Sequence, residues 1–124
     1  ERRELRELSP VATPADIVEL RESTDEVKLD QTLINYIIAV ASATRSHEEV
    51  QIGVSPRGSL ALAQAAKGTA LLAGRDYCIP EDVVSNVLAV FAHRIISRST
   101  MHEGDTLTAR RIMQQILETT PSPA

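Results

Sequence analysis

Reactive side chains are sparse in this 124-residue sequence, and few of them stand together. Histidine occurs only at 47, 93 and 102, and Cys78 is the single cysteine, so no zinc-type ligand pair is spaced along the chain. His47-Glu48-Glu49 lacks the second histidine four residues on that a zincin helix requires, and reads as a solvated loop. Cys78 lies between Tyr77 and Ile79 with no cation placed to depress its thiol, so a part-buried structural cysteine is expected. The phosphate loop G-x-x-x-x-G-K-[ST], the dinucleotide fingerprint G-x-G-x-x-G and the nucleophile elbow G-x-S-x-G are all missing. The expectation is therefore no catalytic residue and no metal site in this chain.

One charged residue is oddly placed. Ser55-Pro56 reads as an N-cap followed by proline at the first helical position, which puts Arg57 in the first turn of a helix. A cation there faces the positive end of the helix dipole, at a cost of about 0.3–1 kcal/mol unless an anion offsets it. Backbone donors at the same helix start favour that anion, and the guanidinium fork suits phosphate oxygens. Placement alone favours the plainer account, in which Arg57 is one of 13 basic residues on a solvated surface.

The elements that would hold such a residue are helical. Thr13-Pro14, with Asp16 completing a capping box, opens a short helix reaching about Arg21. Asp30 is placed to cap a helix over 31–45, where Leu33, Ile34, Ile37, Ile38 and Ala41 form one apolar stripe. Val50 and Ile52 suit a brief extended segment. The Ser55 helix runs through Leu71 and Leu72 to Gly74, a left-handed stop, and its alanines let neighbouring helices approach. Gly68 inside it costs about 0.8–1.0 kcal/mol relative to Ala and so is expected to mark a tight contact. Pro80 opens a helix with Glu81 and Asp82 in its first turn and Val83, Val84, Val87, Leu88, Phe91 and Ile95 on its buried face. Residues 97–105 read as a polar connector, and Thr108 as the cap of a last helix bearing Ile112, Met113, Ile116 and Leu117. The sum is an all-α small helical bundle of about five helices with a short extended connector.

Composition narrows the function classes. The 13 basic and 17 acidic residues leave a net charge of −4, which argues against extended nucleic-acid or anionic-membrane contact. Its most apolar stretch, 34–43, is far shorter than the roughly 20 residues needed to cross a bilayer. The charged N-terminus has no apolar leader segment, and one cysteine fits a reducing compartment, so a cytoplasmic location is expected. The missing initiator Met fits a boundary inside a longer protein.

The string Gly53-Val54-Ser55-Pro56-Arg57-Gly58-Ser59-Leu60, then Ala65-Ala66-Lys67, then Gly74-Arg75-Asp76-Tyr77-Cys78-Ile79-Pro80-Glu81-Asp82-Val83, closely resembles the lid of MoxR-type AAA+ ATPases. Thr44-Arg45 upstream, His93-Arg94 downstream and Ile116-Leu117-Glu118 with Pro121 and Pro123 fall in the same order. The resemblance covers about 11–123. It implies a lid over 13–120, a linker or tail over 1–12 from a P-loop domain and a C-terminal tail over 121–124. It also implies that Arg57 is the sensor 2 residue, reaching the nucleotide's phosphates. By the same resemblance the full-length protein uses ATP and Mg²⁺, and the isolated fragment is expected to hold neither. The lid's partners would be its own P-loop core and neighbouring subunits of a hexameric ring, with client protein complexes unnamed, no nucleic acid and no membrane insertion. Arg45, Arg75 and Arg94 also match family positions and are expected in structural salt bridges or inter-subunit contacts. Ile79 stands where the family commonly has Thr, which removes an N-cap bond worth about 1 kcal/mol. Gly58 replaces a common Ala and is expected to loosen the first turn of the Arg57 helix.

Two other classes compete. A free-standing helical protein–protein interaction module would use an exposed apolar groove and carry its own start codon. A helix-turn-helix DNA binder would use the helices flanking residues 74–79, against which the acidic charge and the alanine-filled helix both argue.

Overall fold

The structure is a computed structural model and describes residues 2–99 and 105–123. Six α-helices lie among the described residues: α1 (Arg2–Arg6), α2 (Pro14–Glu26), α3 (Gln31–Ser46), α4 (Pro56–Leu72), α5 (Pro80–Phe91) and α6 (Asp105–Thr119). A two-stranded ribbon, β1 (Val50–Ile52) with β2 (Ile96–Ser97), and a 3₁₀ turn over Ala92–Arg94 complete the fold. The bundle class expected from the sequence is the one observed. The helix beyond the expected five is α1, a single short turn in what reads as a charged tail.

The caps explain most boundaries. Thr13 and Asp16 form the reciprocal box: the Asp16 N–H donates to Thr13 Oγ1 at 3.1 Å, and the Thr13 N–H donates to Asp16 Oδ2 at 2.8 Å. The helix they start outruns its expected end at Arg21 and reaches Glu26. Thr24 turns its hydroxyl back onto the Leu20 carbonyl at 2.8 Å, and Gln64 of α4 donates to Asp25 at 3.0 Å. This polar last stretch is thus held by side-chain bonds that leave no apolar periodicity. Asp30 stands at the α3 N-cap, but its carboxylate accepts from the Thr32 hydroxyl at 2.8 Å instead of from the helix backbone.

Gly74 ends α4 as expected, with φ +79°. Its N–H donates to the Leu71 carbonyl at 2.9 Å, and the Arg75 N–H donates to Ala70 at 3.0 Å, the paired bonds of a Schellman stop. Gly68 does not mark a tight contact, because a Cβ built there meets nothing within 4 Å. The close approach of α4 to its neighbours runs instead along buried Leu62, Ala66 and Ala70. Thr108 is not the cap of α6; the helix already begins at Asp105, and Thr108 lies inside it. An Asp in the first helical turn is favoured by the helix dipole, so the earlier start is as compatible with the sequence as the expected one. His102 and most of the expected polar connector lie outside the described residues.

The core gathers Leu33, Tyr36, Ile37, Val40 and Ala41 of α3 with Leu62 and Ala66 of α4, Val83, Val87 and Phe91 of α5, and Ile112, Met113 and Ile116 of α6. Full burial of each large apolar side chain contributes about 1.5–3 kcal/mol. The α3 stripe is rotated from the expected one: Tyr36, Val40 and Thr44 are buried, while Ile38 is 52% exposed and Ile34 sits at the edge. α2 buries no residue. The ribbon pairs antiparallel, Val50 with Ser97 and Ile52 with Ile96. That pairing was not visible in the sequence, where Ile96-Ser97 reads as the end of a helix and the start of a connector. It ties the end of α3 to the end of α5, and this brings Arg94 beside the start of α4. No described helix is long and apolar enough to cross a membrane.

Candidate functional site

The site is built on the segment 53–58, which runs from β1 into α4. Thr44 is fully buried in α3; its hydroxyl donates to the Ala41 carbonyl at 2.6 Å and accepts from the Val54 N–H at 2.9 Å. The neighbouring Arg45 donates from Nε to the Val54 carbonyl at 3.1 Å. Consecutive residues of α3 thus hold both polar groups of one peptide residue, so Val54 is fixed in position and in rotation. Gly53 lies flush on the same helix: a Cβ there would fall 2.6 Å from Arg45 Cγ and 2.8 Å from the Arg45 nitrogen. No side chain fits, so only glycine lets the segment pack this closely.

From this clamp the chain turns into α4. Ser55 Oγ accepts from the Gly58 N–H at 3.3 Å, and Pro56 occupies the first turn, where its missing N–H costs nothing. Arg57 follows and is exposed. The ion pairs among the described residues are Arg75–Asp82 and Arg111–Glu49, so Arg57 has no internal counter-ion there. A cation stands at the positive end of a 17-residue helix, on a fixed base, with its head in solvent. Such an arrangement has the charge and the exposed donors to take up an anion from outside the chain.

Gly58 does not loosen this turn. It is buried, and a Cβ there would lie 2.5 Å from Val54 Cγ1 and 3.2 Å from Arg94 Cδ. The residue is a packing requirement of this chain: it lets Val54 and the Arg94 stem close over the first turn of α4. Arg94 is half-buried, and its Nε is shielded from solvent without a hydrogen-bond acceptor among the described residues. Arg45 and Arg94, far apart in sequence, therefore both reach the 54–58 segment that carries Arg57.

Arg75 has a different role. It forms a forked ion pair with Asp82, at 2.6 and 2.8 Å, and donates to the Tyr77 carbonyl at 3.0 Å. Asp82 is almost completely buried and also accepts from the Ile79 N–H at 2.8 Å. Ile79 makes no side-chain cap, as its departure from Thr implies, and Asp82 supplies the α5 cap from inside the first turn. The Arg75 hydrogen bonds hold the Asp82 carboxyl below the usual carboxylate range, helped by the Ile79 N–H and opposed by burial. This is the structural salt bridge expected of one of the three family-matched arginines. It locks the turn between α4 and α5, to which Lys28 adds a bridge at Tyr77. Burial pushes the Cys78 thiol up, and His47 Nδ1 accepts from the Glu49 N–H at 3.1 Å within its own loop.

An apolar groove of about 460 Å³ runs along α3 and α4 beside this site, lined by Ile34, Ile38, Arg45, Pro56 and Leu60 among others. Sequence reasoning found Arg57 and its cap but missed Gly53, Gly58 and the buried Thr44 hydroxyl as parts of the mounting. The Thr44-Arg45 pair was noticed only as part of a motif.

Comparisons with known proteins agree with this geometry. Residues 42–116 match the model of the AAA lid domain family, a span from the Thr44-Arg45 clamp to the core of α6. The chain is 36% identical over 117 residues to the protein YeaC of Bacillus subtilis, covering 94% of this chain and 36% of that protein. It is 30% identical over 122 residues to the chaperone MoxR1 of Mycobacterium tuberculosis, covering 91% and 32%. A crystal structure of a provisionally assigned ATPase from Cytophaga hutchinsonii superposes with a TM-score of 0.76 at 26% identity, over 89% of this chain and 36% of that one. The chain thus spans about a third of the length of these relatives. With the family's lid fold, its S-P-R helix start and its relatives all in place, this chain belongs to the AAA lid domain family and is a lid of the MoxR type.

Proposed function

We propose that this lid senses nucleotide in an ATP-hydrolysing ring protein, with Arg57 as its sensor 2 arginine, and that lid motion remodels or matures client protein complexes. The observation that carries the reading is the mounting of Arg57: an exposed guanidinium without an internal counter-ion, at a helix start clamped from behind by Thr44 and Arg45. A cation fixed in advance stabilises charge that redistributes over the phosphates without paying for reorganisation during the reaction. The clamp also couples Arg57 to α3, so a pull on the arginine is a pull on the whole lid, and rigid-body rotation against the core and neighbouring subunits follows.

ATP fits this chain only at its phosphate end. Among the described residues no group of three His, Cys, Asp or Glu side chains converges. The base pocket, the metal ligands and the attacking water belong, on this reading, to a P-loop core joined through residues 1–12. The remodelling output is supported by the chaperone name of the Mycobacterium tuberculosis relative. A hexameric, cytoplasmic ring is the setting in which this lid would work.

The reading has a direct test in steady-state ATPase assays. The purified 124-residue chain is expected to give no turnover above background, and the full-length protein containing it to hydrolyse ATP. Turnover by the isolated chain, or an inert full-length assembly, would reject the proposal.

A further inference from the structure

The apolar groove between α3 and α4 lies open among the described residues. Ile34 and Ile38 of α3 form one wall and Pro56, Leu60 and Ala63 of α4 the other, bounding about 460 Å³. Ile38 is 52% and Leu60 70% exposed. Apolar surface held in water costs about 25 cal/mol for each Å² that a partner would bury, and joined patches of it mark contact sites. Arg45 stands on the same lining and is exposed. Its Nε is engaged by the Val54 carbonyl, and it belongs to neither ion pair of the described residues, so its forked terminal nitrogens are left for an outside acceptor. The groove is thus an apolar trough with an anchored cation at one edge.

Its place decides what covers it. Leu60 follows Arg57 by three residues on α4, and residues three apart are neighbours on a helix surface, about 5–6 Å between Cβ atoms. Pro56 of the groove wall directly precedes Arg57. A body that presents phosphate to Arg57 therefore arrives within one helical turn of the groove. On the sensor 2 reading that body is the P-loop core, and the Bacillus subtilis and Mycobacterium tuberculosis relatives, of which this chain covers 36% and 32%, have the further length to supply one.

We propose that the groove is the seat of the P-loop core of its own chain, which sets apolar side chains between α3 and α4 and a carboxylate against Arg45. This rests on the sensor 2 reading of Arg57. The carboxylate follows from the covering itself: docking strips water from Arg45, and a desolvated guanidinium is tolerated only with an acceptor, for which a carboxylate has the matching fork. The nucleotide base is the lesser candidate, because it brings no anion to Arg45. Apolar contact in the groove then fixes the angle of the lid on the core, and Arg57 is left to read the phosphate.

The test is hydroxyl-radical footprinting of the full-length protein, with and without ATP, read residue by residue by mass spectrometry. Ile38 and Leu60 are expected to lose their labelling down to the level of Leu62, which is fully buried, while Leu72, 88% exposed at the far end of α4, reacts freely. Labelling of Ile38 and Leu60 at the Leu72 level would overturn the proposal. Protection that appears only with ATP would overturn it too, since the base would then be the occupant. The carboxylate is read by zero-length carbodiimide coupling of the Arg45→Lys protein in assemblies mixed from isotopically light and heavy subunits. Position 45 should join an Asp or Glu of the core, with both peptides of each product carrying the same label. A product that pairs light with heavy assigns the groove to a neighbouring subunit and rejects the proposal, as does the absence of any product with the core. The footprint is made on the unsubstituted protein and decides alone if Arg45→Lys misfolds. Open Ile38 and Leu60 in a protein whose hydrolysis falls on Arg57→Ala would reject the seat and keep the sensor. Protected Ile38 and Leu60 in one where Arg57→Ala hydrolyses ATP at the parental rate would reject the sensor and keep the seat.

Discussion

Arg57→Ala in the full-length protein is expected to lower kcat for ATP hydrolysis by about 10²–10³-fold, the usual effect of removing one preorganised charge from a transition state. The lid itself should not unfold. Arg57 is exposed and belongs to no ion pair among the described residues, so its loss changes stability by no more than about 0.5 kcal/mol. Any change should lean toward stabilisation, because a cation leaves the positive end of the α4 dipole. The two readouts thus move in different directions, as expected of a residue kept for binding at some cost to the fold. Arg57→Lys retains charge without the planar fork and should recover only part of the rate. An Arg57→Ala protein that hydrolyses ATP at the parental rate would remove the sensor assignment. One that unfolds would show that the arginine has a structural partner in the intact protein.

The largest stability effect is expected at Asp82. Asp82→Ala removes a carboxylate that accepts two Arg75 bonds and the Ile79 N–H, and with it the side-chain cap that α5 has among the described residues. Charge-assisted bonds and a lost cap together suggest destabilisation of about 2–4 kcal/mol, after discounting for the partly exposed Arg75. In a lid of this size that is a fall in Tm of about 10 °C. The pH dependence carries a sign. The folded-state pKa of Asp82 is depressed, chiefly by Arg75, so its contribution is complete above the unfolded-state value near about 3.9 and is lost as pH falls through the folded value. Asp82→Asn should therefore differ most from the parent at neutral pH, and the gap should narrow below about pH 4. A gap that widens in acid would contradict the ion pair. Glu49 and Arg111 form a similarly forked pair, but on an open surface, and are expected to contribute little.

What the sequence disclosed followed the range of the forces involved. Local chemistry was legible: Thr13 with Asp16, Ser55 with Pro56, and Gly74 each act within a few residues, and each marks a true boundary. Arg57 was legible for the same reason, since its oddity is its place in one helical turn. Long-range pairings were not. The bond from Val54 to Thr44 joins residues ten apart, and the approach of Gly58 to Arg94 joins the start of α4 to the turn after α5. Neither leaves a periodicity to detect. Glycine misled in both directions, because composition cannot tell a glycine that faces open space, such as Gly68, from one that admits a neighbour, such as Gly58. The α3 stripe erred by one helical edge because Ile38, which scores as core, lines the groove instead. The family motif contributed what neither propensity nor packing could, the proposal of an external ligand for a cation at a helix start.

The claim that Arg57 reads nucleotide phosphate is tested most directly by a structure of the full-length protein bound to a non-hydrolysable ATP analogue. The Arg57 guanidinium should lie within hydrogen-bond distance, about 2.7–2.9 Å, of a phosphate oxygen, on an α4 still clamped by Thr44 and Arg45. An Arg57 side chain directed to bulk solvent or paired with a protein carboxylate while nucleotide fills the core would contradict it.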